Sequence, residues 1–192
     1  MNSQPKATSR KQETREKVLA AAARAIREQG PTRVGVLEIM REAGLTHGGF
    51  YAHFTSKDDM VAAAIDWMFA TTRARKAARA ERDPASDTLA QWITEYVSPR
   101  HRDDAGQGCP LTTLTNDIRH ASAPARAAFD AGAAAMIGRI AARLPADEPE
   151  PDKRAMAILA QMVGAVALAR AVSDPALSDA ILAATSQDLV QP

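Results

Sequence analysis

Apolar residues recur at steps of three and four along most of the chain, which is the spacing of one face of an α-helix. Leu89, Trp92, Ile93, Tyr96 and Val97 follow this spacing without a miss. No segment longer than four residues alternates apolar and polar positions as a β-strand does. The pattern therefore predicts an all-α chain.

The N-terminal region predicts three helices and the start of a fourth. The first helix runs from about Thr14 to Gln29 and stops at a glycine–proline pair. A short second helix ends at Gly44, and a short third helix begins after Thr46, a suitable N-cap residue. A long fourth helix begins after Ser56, whose third following residue is acidic. Proline-containing breaks divide the rest of the chain into five further helical segments.

The second and third helices are close enough along the chain to form a helix-turn-helix. This requires Gly44 to take the left-handed backbone conformation, which costs glycine no steric strain. Phe50 and Phe54 then share the inner face of the third helix. Its outer arc carries hydrogen-bond donors and little bulk, as a helix in the major groove requires, and consists of His47, Gly48, Tyr51 and Ala52. The pair Gly48-Gly49 either lets the backbone approach a duplex closely or simply marks a loop.

Basic residues are concentrated at the N-terminal end. The 192-residue chain has 24 Lys and Arg against 23 Asp and Glu, yet residues 1–57 hold ten basic and five acidic side chains. This asymmetry is typical of a polyanion-binding module joined to a carrier domain, although a merely solvated N-terminus has the same composition. Residues 1–12 are interpreted as a flexible basic arm that strengthens DNA binding by counterion release, with basic residues Lys6, Arg10 and Lys11, followed by Arg15.

Residues 14–65 resemble the N-terminal domain of TetR/AcrR-type transcriptional regulators. The resemblance lies in the run from Gly44 to Phe54, GLTHGGFYAHF, followed by SKDD at 56–59. It implies a DNA-binding domain at 1–57 and an all-α ligand-binding and dimerisation domain at 58–192.

The resemblance also implies that His47, Gly48, Gly49 and Tyr51 sit at the groove, and that Tyr51, His53 and Lys57 approach phosphates. A lysine at a helix N-terminus independently suits phosphate. One departure is Gly35, where the family often has a hydroxyl side chain that caps the second helix. The full set of predicted DNA-binding residues is Thr46, His47, Gly48, Gly49, Tyr51, His53, Lys57, Arg33 and Arg41.

The C-terminal region contains enough bulky, adaptable side chains to line an apolar effector pocket, although such side chains more often form plain core. The predicted lining is Trp67, Met68, Trp92, Tyr96, Cys109, Phe129, Met136 and Met162. The segment around Cys109 resembles one branch of the family, in which a cysteine at this position reacts with electrophiles or oxidants in some members. A nearby helix N-terminus is expected to lower the thiol pKa. The alternative is an inert, buried cysteine.

Residues 155–169 are apolar nearly all round, which predicts partners on two sides of one helix. One partner is the core of the protomer, and the other is a second copy in an intermolecular four-helix bundle, as the resemblance implies. Burial entirely within one protomer is the alternative. The predicted dimerisation residues are Ile158, Met162, Ala165, Ala169, Val172, Leu177 and Ile181.

Other classes of protein fit less well. The four histidines lack metal-ligand spacing, and no phosphate loop or nucleophile elbow is present, so neither an enzyme, a metal site nor a cofactor is expected. The longest apolar run has 15 residues, short of the roughly 20 that span a membrane. A polar N-terminus and one cysteine suit the cytoplasm. The sequence predicts a homodimeric, effector-responsive repressor of a palindromic operator; a helical carrier of small molecules or lipids is the alternative.

Overall fold

The computed structural model describes the backbone of residues 5–190 and the side chains of residues 10–190. This part of the chain is helical and contains no strand, so the all-α prediction is confirmed. Its nine α-helices are α1 (Pro5–Gln29), α2 (Val36–Glu42), α3 (Lys57–Arg82), α4 (Leu89–Tyr96), α5 (Pro99–Asp103), α6 (Pro110–Leu114), α7 (Ala123–Ala141), α8 (Pro151–Ala171) and α9 (Pro175–Val190).

Helix α1 begins at Pro5, nine residues before the predicted start at Thr14, so residues 5–12 of the predicted arm are helical. The reason is composition: the added turns contain mostly Arg, Lys, Gln and Ala, which favour helix. Gln12 Nε2 also donates to Glu16 Oε1 at 2.8 Å. The side chain of Lys6 and residues 1–4 lie outside the described part of the chain.

The predicted third α-helix is instead a 3-10 helix, His47–Ala52. Two consecutive glycines weaken the α-helical alternative, and the backbone closes tighter turns, with Gly49 N–H donating to the Thr46 carbonyl at 3.0 Å. The predicted start of the long helix is confirmed in detail, because Ser56 is the N-cap of α3 and its hydroxyl accepts from Asp59 N at 3.0 Å.

Two apolar clusters form the interior. One packs α1, α2 and the first half of α3, and also includes Leu114 and Ala125 from the C-terminal region. The other packs α4 and α6 to α9 around Ile93 and Met162. Phe69 and Phe129 contact both clusters. The DNA-binding domain predicted at 1–57 therefore shares a core with the body, and α3 belongs to both.

Gly132 of α7 makes room for Phe69 of α3. A Cβ atom built at Gly132 would stand closer than 3.0 Å to three ring atoms of Phe69. The ring therefore fills the notch that the missing side chain leaves, and it meets the Phe129 ring edge-on at 6.4 Å. This notch fixes the approach of α3 to α7.

Helix α8 has 21 residues and is long and apolar enough to cross a membrane, but 39% of its most apolar stretch is buried inside the chain. A single helix of this kind is weak evidence for a span, because core helices pass the same test. Its inward face includes Ile158, Met162 and Ala165. On the opposite face, Met156 and Leu168 are each 53% exposed.

Candidate nucleic-acid interface

The turn between α2 and the 3-10 helix is built as a helix-turn-helix requires. Gly44 has φ 72°, in the left-handed region, with open space around it, so the backbone angle alone explains the glycine. Gly44 N–H donates to the Arg41 carbonyl at 3.0 Å, and Leu45 N–H donates to the Met40 carbonyl at 2.8 Å. These two bonds end α2 and set the direction of the segment that follows.

The inner face of that segment is anchored in the core. Phe50 and Phe54 are each 2% exposed, with ring centres 5.6 Å apart, and the Arg15 guanidinium lies 5.0 Å from the centre of the Phe54 ring. Burial of two aromatic rings holds a glycine-rich segment that would be weak as an isolated helix. The sequence predicts Arg15 only as a charge near the arm, and in the structure it also covers this anchor.

The outer face is free to meet a ligand. Tyr51 is 70% exposed, and its ring touches those of Phe50 and His47 edge-on at 5.2 and 6.4 Å. His47 and Gly48 are also exposed, whereas Gly49 is partly buried with its Cα facing the Met40 side chain. Three of the four predicted groove residues are thus exposed, and Gly49 faces α2 instead of outward.

His53 lies at the edge of this face, half-buried. Its Nδ1 atom is buried and has no hydrogen-bond partner in the described part of the chain. Burial lowers the pKa of His53, and the charges of Lys11 and Arg15 lower it further. Both effects favour the neutral imidazole, and a phosphate placed beside it would favour its charged form.

Lys57 begins α3 but already has a partner: Nζ donates to the Thr32 carbonyl at 2.9 Å. Asp58 and Asp59 follow it in the first turn, and Ser56 occupies one of the free amides. These carboxylates offset part of the positive charge at the helix N-terminus. Lys57 also lines an open cleft of about 320 Å³ beside Asp58 and His120.

Arg33 and Arg41 are exposed, and Thr46 is exposed without using its hydroxyl as a cap. Gly35 is the N-cap of α2 and provides no side-chain bond to the helix amides. The first amides of α2 therefore lack the hydroxyl cap that the resemblance implies for this position.

Comparison with known proteins agrees with this arrangement. The model of the family described as bacterial regulatory proteins, tetR family, matches residues 18–64, which contain the whole helix-turn-helix. The chain is 38% identical to the HTH-type transcriptional regulator TtgR of Pseudomonas putida over 60 residues, 31% of this chain and 29% of TtgR. Over 102 residues it is 30% identical to the uncharacterized regulator YvdT of Bacillus subtilis, covering 52% of this chain and 51% of YvdT.

Solved structures extend the likeness to the body. A crystal structure titled regulatory protein TetR from Rhodobacter sphaeroides is 25% identical and has a TM-score of 0.70, with 92% of this chain and 96% of that chain covered. Residues 18–64 thus match the TetR family of regulatory proteins, and the chain as a whole is similar to this solved structure. Reduced NemR of E. coli shares the same fold at 22% identity, with a TM-score of 0.75 over 92% of this chain and 95% of that one. The curated relatives are matched over about half their length or less, so their activities are not transferred whole.

The predicted effector residues are divided between the two apolar clusters, with Met68 in the first, Tyr96 and Met162 in the second, and Phe129 in contact with both. Met68, Tyr96 and Met162 are buried, and Phe129 and Met136 fill space between helices, which is the plain-core alternative named above. Tyr96 OH and Thr112 Oγ1 share a buried hydrogen bond of 2.7 Å. A ligand at this place has to separate side chains that now touch.

Cys109 differs from the prediction. Its thiol pKa is raised because burial disfavours the thiolate, and hydrogen bonds from Tyr96 and from the Leu111 and Thr112 amides offset only part of this effect. The helix that it precedes, α6, has only five residues and a small dipole. His101 also holds the segment in place, since its Nε2 accepts from Cys109 N–H at 3.0 Å.

The predicted dimerisation residues divide into two groups. Ile158, Met162, Ala165 and Ala169 lie inside the core of the protomer, as the burial alternative describes. Leu177 is 50% exposed, and Val172 and Ile181 are partly exposed. Met156 and Leu168 are exposed on α8 but are not among the predicted residues, because a helix that is apolar all round does not show which of its faces the protomer covers.

Proposed function

We propose that this chain is a TetR-family regulator that binds double-stranded DNA as a homodimer, represses transcription from a palindromic operator, and releases it when a small apolar or electrophilic effector enters the body. The observation that carries the proposal is the exposed His47–Tyr51 face. A phenol, an imidazole and an uncovered glycine stand on one side of a segment that Phe50 and Phe54 fix in the core. Donors held on a rigid element suit the reading of base edges.

Phosphate contacts are assigned to other predicted residues of the N-terminal region. Arg33, which precedes α2, and Arg41, which lies within it, are exposed, and the half-buried His53 ring is the third candidate. Such contacts orient a protein on the duplex and carry the salt dependence, whereas Tyr51 and His47 are assigned to base edges. Lys57 adds a phosphate contact if its Nζ keeps a free proton beside the bond to Thr32, as an ammonium with three donors allows.

The DNA test compares two kinds of variant on fragments retained by the purified protein. Tyr51→Ala should weaken binding by about tenfold or more and relax the sequence preference, because it removes a base contact. Arg41→Ala should weaken binding to all sequences alike and reduce the slope of log K against log salt by about one. Arg154→Ala, which removes an exposed arginine from the body, is the matched control. If Tyr51→Ala and the wild type are both folded and bind DNA with equal affinity, Tyr51 does not contact the bases.

The dimer is proposed through the exposed side of α8 and α9. Met156, Leu168 and Leu177 stand outward there, each half or more exposed. Leu168→Glu should give a monomer in sedimentation velocity, because a charge cannot be buried unpaired at an apolar interface. Leu37→Glu is the control, since Leu37 is 67% exposed but belongs to α2. A wild-type monomer, or a dimer that survives Leu168→Glu unchanged, contradicts the assignment.

Coupling between effector and DNA is assigned to α3 and to one side-chain link. Helix α3 contributes to both apolar clusters, so separating Phe129 from Phe69 displaces it. In addition, Arg27 of α1 donates through Nε to the Gly108 carbonyl at 3.2 Å, which ties the DNA-binding domain to the segment before Cys109. An effector acts only by binding the displaced arrangement more tightly than the DNA-bound one. Arg27→Gln should therefore weaken the effect of an effector on DNA affinity more than it changes effector affinity.

A further inference from the structure

Three cations surround one buried indole where α3, α4 and α7 meet. Lys76 Nζ, the Arg139 guanidinium carbon and the Arg143 guanidinium carbon lie 4.6, 4.4 and 3.9 Å from the ring centre of Trp92. Trp92 is 2% exposed, and its Nε1 donates to Asp87 Oδ1 at 3.1 Å. We call Lys76, Arg139 and Arg143 with Trp92 the Trp92 cation cluster.

The carboxylates beside the cluster are already engaged. Arg143 Nη2 donates to both oxygens of Asp87 at 2.7 Å, and this pairing holds the pKa of Asp87 below its usual value. Glu95 is shared by Lys76, at 3.8 Å, and by Arg79. Asp87 therefore already pairs with Arg143, and Glu95 already pairs with Lys76 and Arg79. One cation of the cluster has no acidic partner among the described side chains.

That cation is Arg139. Among the described side chains, no carboxylate lies within ion-pair distance of its guanidinium, and the group makes no side-chain hydrogen bond there. Burial lowers the pKa of Arg139, and the charges of Arg143 and Arg73 lower it further, while Asp87 raises it. The indole face offers some compensation, but a partly buried cation among like charges is more stable beside an anion.

We propose that the Trp92 cation cluster is a binding site for a small oxyanion, the carboxylate or phosphate group of a metabolite, with Arg139 as its main contact and Lys76 as its second. The planar guanidinium presents a pair of donors to two oxygens of such a group, and the ammonium adds a point charge. The site lies against α3 and α7 and is distinct from the DNA-binding face. It does not depend on the proposed DNA binding.

The test uses the full chain without DNA and follows the two indole N–H signals, from Trp67 and Trp92, by NMR. Inorganic phosphate and acetate are titrated separately at constant ionic strength, with sodium chloride as the exchanged salt. The Trp92 signal should shift and saturate at millimolar concentration with one of the two, and the Trp67 signal should not shift with the same midpoint. The anion that saturates at the lower concentration identifies the phosphate or the carboxylate class.

Three variants assign the site to Arg139. Arg139→Gln should weaken anion binding by about tenfold or more, since it removes a charge-assisted contact. Arg139→Lys keeps the positive charge and should weaken anion binding by less, and Arg154→Gln should leave anion binding unchanged. A Trp92 signal that stays unshifted with both phosphate and acetate up to about 100 mM, or identical titrations of all three variants and the wild type, would overturn the proposal.

Discussion

Replacing Gly132 by alanine adds one methyl group at the point where the Phe69 ring enters α7. In most helix interiors this change stabilises by about 1 kcal/mol, because alanine is the better helix former. Here the new Cβ overlaps three ring atoms, so either the ring or the helix has to move. Overpacking of this kind costs about 1–3 kcal/mol. Since Phe69 and Phe129 join the two apolar clusters, any movement is felt in both.

Gly138 provides the matched control on the same helix. A Cβ built at Gly138 meets nothing within 4 Å, so Gly138→Ala should stabilise by about 0.5–1 kcal/mol. The helix-propensity gain is common to both variants and cancels in their difference. That difference, about 1–3 kcal/mol in favour of Gly138→Ala, therefore measures the steric cost alone.

The assay is urea unfolding followed by circular dichroism, with all variants at one protein concentration because dimerisation shifts apparent stability. A double-mutant cycle with Phe69→Ala completes it: in that background Gly132→Ala should no longer be worse than Gly138→Ala. Equal stabilisation by both alanines in the wild-type background would refute the notch as the feature that fixes α3 against α7.

Three single sites give further tests. Cys109 should react with iodoacetamide at pH 7 more slowly than an exposed cysteine, because its raised pKa keeps the thiol protonated. A faster rate would support Cys109 as an electrophile sensor, and Cys109→Ser should then abolish the response to electrophiles. Because the Asp87 pKa is depressed, its carboxylate stabilises the folded state above about pH 4, and this stabilisation is lost as the pH falls through the folded pKa. The wild type should therefore lose stability relative to Asp87→Asn in urea titrations at acid pH. Gly35→Ser should cap α2 and stabilise by a few tenths of a kcal/mol, about the usual gain over glycine, and a thermal melt that falls instead would show that the hydroxyl does not reach the helix amides.

Local features of the helix-turn-helix were predictable because they depend on neighbours in sequence. Gly44 takes the left-handed conformation that the turn demanded, Ser56 caps α3, and Phe50 and Phe54 face inward. The 3-10 form of His47–Ala52 was not predicted, since periodicity alone separates it poorly from an α-helix. Two adjacent glycines were the signal that pointed to it.

Features that depend on packing between helices distant in sequence could not be predicted from local patterns. The thiol of Cys109 was expected to be activated, but burial raises its pKa by more than the hydrogen bond from Tyr96 and the short helix beside it can offset. The inward face of α8 was assigned to the dimer, because both of its faces are apolar. The Trp92 cation cluster draws residues from three helices, and no local pattern brings Lys76 to Arg139.

Sequencing the DNA fragments that the purified protein retains tests the proposed operator-binding dimer most directly. Two copies of the His47–Tyr51 face, related by a two-fold axis, should select inverted half-sites with centres about one helical turn apart, roughly 34–36 Å, or a multiple of it. Fragments that share such a palindrome would support the dimeric reader. Retained fragments with no common sequence, or with a single half-site and no inverted repeat, would contradict it.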